Sequence, residues 1–264
     1  MNGANGGQSM SINKEVASFD EAVKDVFDGA TVLIGGFGDP GSAPSYLIRA
    51  LAKQGAKNLT IVGNGTGYGR ELRVSMGLPV WDWWEDAGIL SANGQVRKAI
   101  AAFPVPASPK LVNPFEKRFR ANEVEVELVP QGTLAERIRA NKAGIGAFFT
   151  PTGPGTIIQG EKEVRVIDGK PHILEYAIKA DFAFIRAYKA DRLGNLIYRG
   201  TMRTFNSTMA GAARVTIAEV DEIIPVEEMD PEAVVTPALY VERVGVRTPE
   251  GRVQVVQKIR KEER

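Results

Sequence analysis

The 264-residue sequence has no cysteine and a single histidine, His172. The first absence removes disulfide frameworks, thiol nucleophiles and cysteine metal sites together. The second removes any two-histidine metal centre, and no metal site is expected. His172 follows a turn signal in "DGKPHILEY" and reads as an ordinary surface or half-buried residue rather than a general base. Charge of one sign is missing too: 33 Lys and Arg stand against 32 Asp and Glu, a net of +1. Neither a nucleic-acid footprint nor an anionic membrane surface is expected from that balance. No apolar run approaches the ~18 residues of a membrane span. The start, "MNGANGGQSMSINKE", lacks the basic-then-apolar order of a secretory signal. Residues 1–13 are therefore expected to be a flexible leader, "KIRKEER" a solvated end, and the location cytoplasmic.

What is present is an ordinary globular composition, 44% hydrophobic and 25% charged. Ser18 and Glu21 form a capping box, and Phe19, Val23, Val26 and Phe27 share a helical face, so the first helix is predicted over 19–27. "TVLIG" follows as a buried strand, "APSYLIRALAKQG" as a helix stopped by Gly55, and "NLTIVGN" as the next strand. The rhythm resumes with "VRKAIAAF", "VEVELV", the helix "TLAERIRANKAG" and the strand "IGAFFT". From Val164 the strands shorten and alternate ("EVRVI", "HILEY", "DFAFIRAYKAD", "NLIYRG"), before a last α/β stretch at "TMAGAARVTIAEVDEII" and closing strands in "VVTPALYVERVGVRT". Alternation with short links predicts an α/β fold: a doubly wound, mainly parallel sheet with helices on both faces. One domain over 14–264 is expected, carrying a small β-rich excursion at about 160–200.

Two glycine clusters follow strands. In "IGGFGDPGSAP" Gly38 is followed by Asp39 and Pro40, where a P-loop needs lysine and a hydroxyl. The dinucleotide fingerprint also fails, because the second strand ends in Asn64 rather than an acid. Two readings stand for Gly35, Gly36 and Gly38: close approach of backbone to a ligand, with Phe37 walling the pocket, or a turn needing positive φ. "GNGTGYG" is a loop at a strand's carboxyl end, where open α/β sheets place ligands, and Asn64 belongs to it. Gln131, between Pro130 and Gly132 in a strand-to-helix link, brings an amide to the same edge. Such an N–H suits an oxyanion, and a capping role is the plainer reading.

The segment "ELVPQGTLAERIRANKAGIGAFFTPTGPGT", with "DGATVLIGGFG" before it and "ADFAFIRAYKADRLGNLIYRGTMRTFN" and "TPALYV" after it, closely resembles the alpha subunit of family I CoA-transferases of the 3-oxoacid type, over about residues 14–243. "GIGAFFTPTG", "AAFP" and "RLGNLIYR" resemble the 3-oxoadipate enzymes more than the succinyl-CoA:acetoacetate enzymes. The resemblance implies transfer of CoA from an acyl-CoA such as succinyl-CoA to 3-oxoadipate, or next acetoacetate, through a glutamyl-CoA thioester. It makes Gln131 the oxyanion donor and places Gly35, Gly36, Phe37, Gly38 and Asn64 on the substrate and CoA path. It implies no cofactor, since the CoA thioester is a substrate. It also implies a beta subunit bearing the catalytic glutamate, in a heterodimer or heterotetramer.

This chain's "SANG" at Ser91 to Gly94 is similar to the beta-subunit motif, but Ala92 stands where glutamate would. It reads instead as a helix end before a strand. Glu136 reads as a helix-surface partner of Arg137, Arg139 or Lys142. Two departures from the family are visible. Ser42 and Ala43 separate Gly41 from Pro44, one residue more than the pattern. "RELRVSMGLPVWDWWEDAGIL" is about a dozen residues longer than in the family and holds Trp81, Trp83 and Trp84, which either line a pocket, meet a partner or pack the insertion onto this chain. "RTFN" and the loop 150–156 match the family without an assignable step. Competing readings are an isomerase or lactonase-like enzyme and a non-catalytic acyl-CoA-binding module on the same scaffold.

Overall fold

The computed structural model describes residues 12–39 and 41–249; most of the expected leader and the "KIRKEER" end lie outside the described residues. Ile12, within the expected leader, is held through its carbonyl by Arg192 Nη1 at 2.6 Å. No helix among the described residues is long and apolar enough to cross a membrane.

The first helix, α1 (Phe19–Ala22), is shorter than its apolar spacing predicts. Ser18 caps it as expected, accepting Glu21 N at 3.1 Å. Beyond Ala22 the bonding tightens, with Val26 N on Val23 O at 3.0 Å, and the β-branched Val23 and Val26 still reach the core. Then β1 (Thr31–Ile34), α2 (Ser45–Gln54) and β2 (Leu59–Gly65) alternate. Gly55 ends α2 in the left-handed conformation at φ 88. Next come α3 (Arg70–Ser75), α4 (Gly88–Ala92), β3 (Val96–Phe103), α5 (Pro114–Arg120), β4 (Glu125–Leu128) and α6 (Gln131–Lys142). Asn113 caps α5 by accepting Glu116 N at 2.8 Å, with Pro114 in the first turn.

The second half corrects the predicted excursion. β5 (Ala147–Thr150) does not continue the parallel sheet. It pairs antiparallel with β7 (Lys170–Tyr176), which also pairs with β6 (Val164–Ile167), in a separate three-stranded sheet. β8 (Phe182–Arg186), expected within the excursion, lies instead mid-sheet between β1 and β11 (Val215–Val220). All five residues of β8 are buried, the pattern of a strand covered on both faces rather than an alternating one. The short β9 (Lys189–Asp191), β10 (Leu196–Ile197) and β12 (Glu222–Ile224) form a third sheet. Between them α7 (Thr204–Met209) packs on β8, and β13 (Arg243–Val246) closes the main sheet. The remainder of the predicted closing strands is irregular, with a 3-10 turn at Ala238–Tyr240 directly after Pro237.

The main sheet is seven-stranded and parallel throughout, in the order β13-β11-β8-β1-β2-β3-β4. Alternation along its strands builds two cores. Val32 and Ile34 face a cluster with Leu47, Ile48 and Leu51 of α2, while Leu33 faces one with Leu134 and Ile138 of α6 and Phe205 and Met209 of α7. Each fully buried side chain of this size contributes about 1.5–3 kcal/mol.

Past the carboxyl ends of β8 and β11 lies a buried ion cluster. Arg186 Nη2 meets Asp221 at 3.0 Å and Arg247 Nε meets Glu219 at 3.0 Å. The other Glu219 oxygen accepts the first backbone N–H groups of α2, Tyr46 at 2.8 Å and Leu47 at 3.2 Å. Glu219→Ala removes a carboxylate facing a buried guanidinium together with that helix cap, and is expected to cost ~3 kcal/mol or more in urea denaturation. Glu163→Ala, which breaks an exposed pair with Arg165, should leave the midpoint unchanged.

Candidate functional site

From β1 the chain winds outward through β2, β3 and β4 on one side and through β8, β11 and β13 on the other. The crevice beyond the carboxyl ends at such a reversal is where open α/β sheets hold ligands. The glycine turn after β1 lies there. A cavity of ≈ 300 Å³ is lined by Gly35, Gly36, Phe37, Gly38 and Asn64, and by Trp84 from the tryptophan segment between β2 and α4.

Gln131 is the first residue of α6, after β4. Its Nε2 donates to Asn64 Oδ1 at 2.7 Å, joining the helix start to the carboxyl end of β2 across 67 residues of sequence. Gln131 is exposed and Asn64 half-buried. A primary amide carries two N–H donors. The second N–H of Gln131 and both of Asn64 have no partner among the described residues, so the pair offers uncharged donors beside the cavity.

The glycine turn is shaped from within the chain. Gly36 and Gly38 have φ of 98 and 95, the conformations the turn reading requires. Gly35 does not; a Cβ there would fall 1.8 Å from Asn206 Oδ1. Asn206 is fully buried, accepts Arg186 N at 2.9 Å, and donates to Ser42 O at 3.0 Å and Met202 O at 2.8 Å. Its segment "RTFN" thereby gains a role, as a brace behind the turn. Ser42 Oγ accepts Phe37 N at 3.1 Å and donates to Asp39. Asp39 also accepts Ser42 N at 2.9 Å and Thr201 Oγ1 at 3.1 Å. Phe37 is 46% exposed and stacks on Phe205 with centroids 6.1 Å apart.

The tryptophans divide the roles predicted for them. Trp84 is 1% exposed and lines the cavity, with the guanidinium of Arg73 4.5 Å above its ring. Trp83 is buried over Arg247 at 4.5 Å, and Trp81 stacks on Trp83 at 5.4 Å, so these two fix the insertion onto the ion cluster. Asp86, which the sequence reading passed over, lines the cavity and accepts Tyr68 N (2.8 Å), Gly69 N (3.0 Å) and Gly88 N (2.9 Å). Burial pushes its carboxyl above the ordinary range, against those three donors and Arg73.

Other sequence features resolve plainly. "SANG" is the end of α4 before β3. Glu136 pairs with Arg139, whose hydrogen bonds hold its carboxyl below the usual range. His172, half-buried, makes one contact from Nδ1 to Lys170 O at 2.9 Å. Among the described residues, no group of three or more His, Cys, Asp or Glu is placed to hold a metal ion.

The family model described as coenzyme A transferase matches residues 16–247. The chain is 45% identical over 233 residues to the A subunit of 3-oxoadipate CoA-transferase from Pseudomonas putida, covering 88% of this chain and 93% of the relative. It is 44% identical over 233 residues to the A subunit of a probable succinyl-CoA:3-ketoacid coenzyme A transferase from Bacillus subtilis, covering 88% and 90%. Among solved structures, an acyl-CoA transferase of E. coli O157:H7 in a thioester complex with CoA superposes with a TM-score of 0.75 at 22% identity, over 89% of this chain and 50% of that one. Glutaconate coenzyme A-transferase of Acidaminococcus fermentans does so with a TM-score of 0.69 at 22% identity, over 90% and 76%. At those identities the structures speak for the fold.

The brace gives a stability test. Gly35→Ala forces a methyl into Asn206 and is expected to cost about 1–3 kcal/mol. Gly132→Ala, with nothing within 4 Å and no positive φ, should be neutral or slightly stabilising in the same denaturation series.

Proposed function

Because the chain belongs to the coenzyme A transferase family, as an A subunit of the 3-oxoacid type, we propose that it supplies one half of an active site that moves CoA from an acyl-CoA to a 3-oxo acid. The observation that carries this reading is the Gln131–Asn64 amide pair beside a cavity whose own carboxylates are engaged. Asp39 is held by Ser42 and Thr201, and Asp86 by three backbone N–H groups. Neither is a free nucleophile. This suits an attacking carboxylate supplied by a partner, which the family resemblance makes the glutamate of a beta subunit in a heterodimer or heterotetramer.

The chemistry is a double displacement. The partner's carboxylate adds to the thioester carbonyl, the C–S bond breaks, and a mixed anhydride and CoA thiolate result. The thiolate then attacks the glutamyl carbonyl, releasing the first acid and leaving a glutamyl-CoA thioester. The acceptor carboxylate repeats the sequence in reverse order and departs as the new acyl-CoA. No cofactor takes part. Each addition places charge on a carbonyl oxygen, and the free Gln131 N–H stabilises that charge only as it develops. Gly35, Gly36, Phe37, Gly38 and Asn64 form the wall along which acyl group and CoA run. Succinyl-CoA is the donor that the family resemblance suggests; 3-oxoadipate is the acceptor it favours, with acetoacetate next.

An isomerase needs a base and a phosphate-gripping set of cations, and the cavity lining contains no lysine, arginine or histidine among the described residues. A non-catalytic binding module would have no use for the Gln131 amide.

Purified alone, the chain should transfer no CoA; combined with its partner it should. In the complex, Gln131→Ala should lower kcat by about 10²–10³ with little change in KM. Full activity of the single chain, or an unaffected Gln131→Ala complex, would overturn the proposal.

A further inference from the structure

We infer, on the strength of the transferase reading above, that Arg137 is a positioning residue that acts through Gln131, fixing the height and turn of α6 at which the Gln131 amide meets Asn64. Gln131 begins α6 directly after Val129 and Pro130, the short link that leaves β4. β4 is the outermost strand of the main sheet and is supported on one side only. Pro130 gives the helix start no side-chain cap. Leu134 and Ile138 hold α6 to the core through apolar contacts, which are non-directional. The directional restraint comes from one buried guanidinium about 9 Å further along the helix axis.

Arg137 donates from Nη1 to Glu127 Oε1 at 2.6 Å and from Nε to the carbonyl of Tyr176 at 2.7 Å. The first bond joins residues ten apart in sequence, so the end of β4, the link and the first two turns of α6 close into a ring that contains Gln131. The second ties the same side chain to the end of β7, where Glu175 also lies 3.7 Å from Nε. Ile178 N donates to Arg137 O at 3.1 Å, adding a backbone tie at the same point.

Glu127 is itself held by Lys98 of β3 at 2.8 Å, and β3 pairs with β2, which carries Asn64. Both amides are thereby referred to adjoining strands, Asn64 by the backbone of β2 and Gln131 through Lys98, Glu127 and Arg137. Burial pushes the Glu127 carboxyl up, but hydrogen bonds from Lys98 and Arg137 outweigh it and hold the group below its usual range. The clamp is therefore charged at neutral pH. Its guanidinium is a planar, rigid fork; lysine at 137 keeps the charge but cannot give two bonds in fixed directions. A donor that stabilises charge only as it develops has to be in place beforehand, and a misplacement of about 1 Å costs on the order of 10²-fold.

The test uses the complex of this chain with its partner and follows Arg137→Lys in two backgrounds, native and Gln131→Ala, as a double-mutant cycle. With Gln131 present, Arg137→Lys is expected to lower kcat by roughly tenfold or more while KM stays within about twofold. On Gln131→Ala it should lower kcat no further, because a residue that acts through the amide has nothing left to position. Glu127→Gln keeps an acceptor oxygen and leaves Glu175 facing Arg137, so it carries the same test should Arg137→Lys not fold. It should lower kcat by roughly threefold or more, again in the native background alone. Equal losses in both backgrounds are what a merely structural ion pair would give, and would overturn the inference; so would native kcat in the Arg137→Lys complex. A native complex that transfers no CoA, or a Gln131→Ala complex with native kcat, would overturn the transferase reading itself.

Discussion

The amide of Asn206, fully buried, commits its oxygen to the backbone of Arg186 at the end of β8 and its nitrogen to Ser42 in the glycine turn and Met202 before α7. One side chain thus holds its own helix entry to two other segments, 20 and 164 residues away in sequence. Its carbonyl occupies the space where residue 35 would carry a Cβ, so glycine at 35 is a packing requirement of the brace as well as part of the cavity lining. The turn held this way presents Gly36, Phe37 and Gly38 to the cavity. Without the brace the wall has no fixed position relative to Asn64 and Gln131, and three backbone groups lose buried partners.

The ion cluster does the same work one layer further out. Glu219 caps α2, whose N-terminus follows the glycine turn, and pairs with Arg247, on which Trp83 lies. The tryptophan segment and the glycine turn are thereby referred to the same strand, β11. Buried charges of this kind contribute little net stability but penalise every arrangement that separates them. For the proposed half-site such rigidity is an advantage, because the ordering cost is met before association.

Much of the local structure was legible. "VRKAIAAF" is β3 to the residue, Gly55 ends α2 as capping physics dictates, and Ser18 caps α1, whereas the sequence reading passes over α5 with its Asn113 cap. The glycine turn, Asn64 and Gln131 could be assigned to one sheet edge because parallel strands deliver their ends there. Pairing was not legible: β5 reads as another parallel strand and β8 as part of a β-rich excursion, because neither hydrophobic run specifies which distant strand it joins. The wholly apolar "FAFI" reads among the alternating strands, although such a run suits a strand buried on both faces. Asp86 escaped notice, and "RTFN" stood out without a role for Asn206, for a related reason. Their partners lie on backbone that only the folded chain brings near, and a polar residue followed by small ones carries no local pattern. Of the three readings left open for the tryptophans, two have a counterpart in the fold, Trp84 as cavity wall and Trp83 with Trp81 as packing.

The division of labour between two chains can be read directly by trapping the covalent intermediate. The complex is incubated with an acyl-CoA it accepts, the thioester is reduced with borohydride, and the intact mass of each chain is measured. The reduction product should appear only on the partner, with this chain unmodified. A product on this chain, at Asp39, Asp86 or any other carboxylate, would contradict the half-site in which Gln131 and Asn64 stabilise charge for a nucleophile they do not supply.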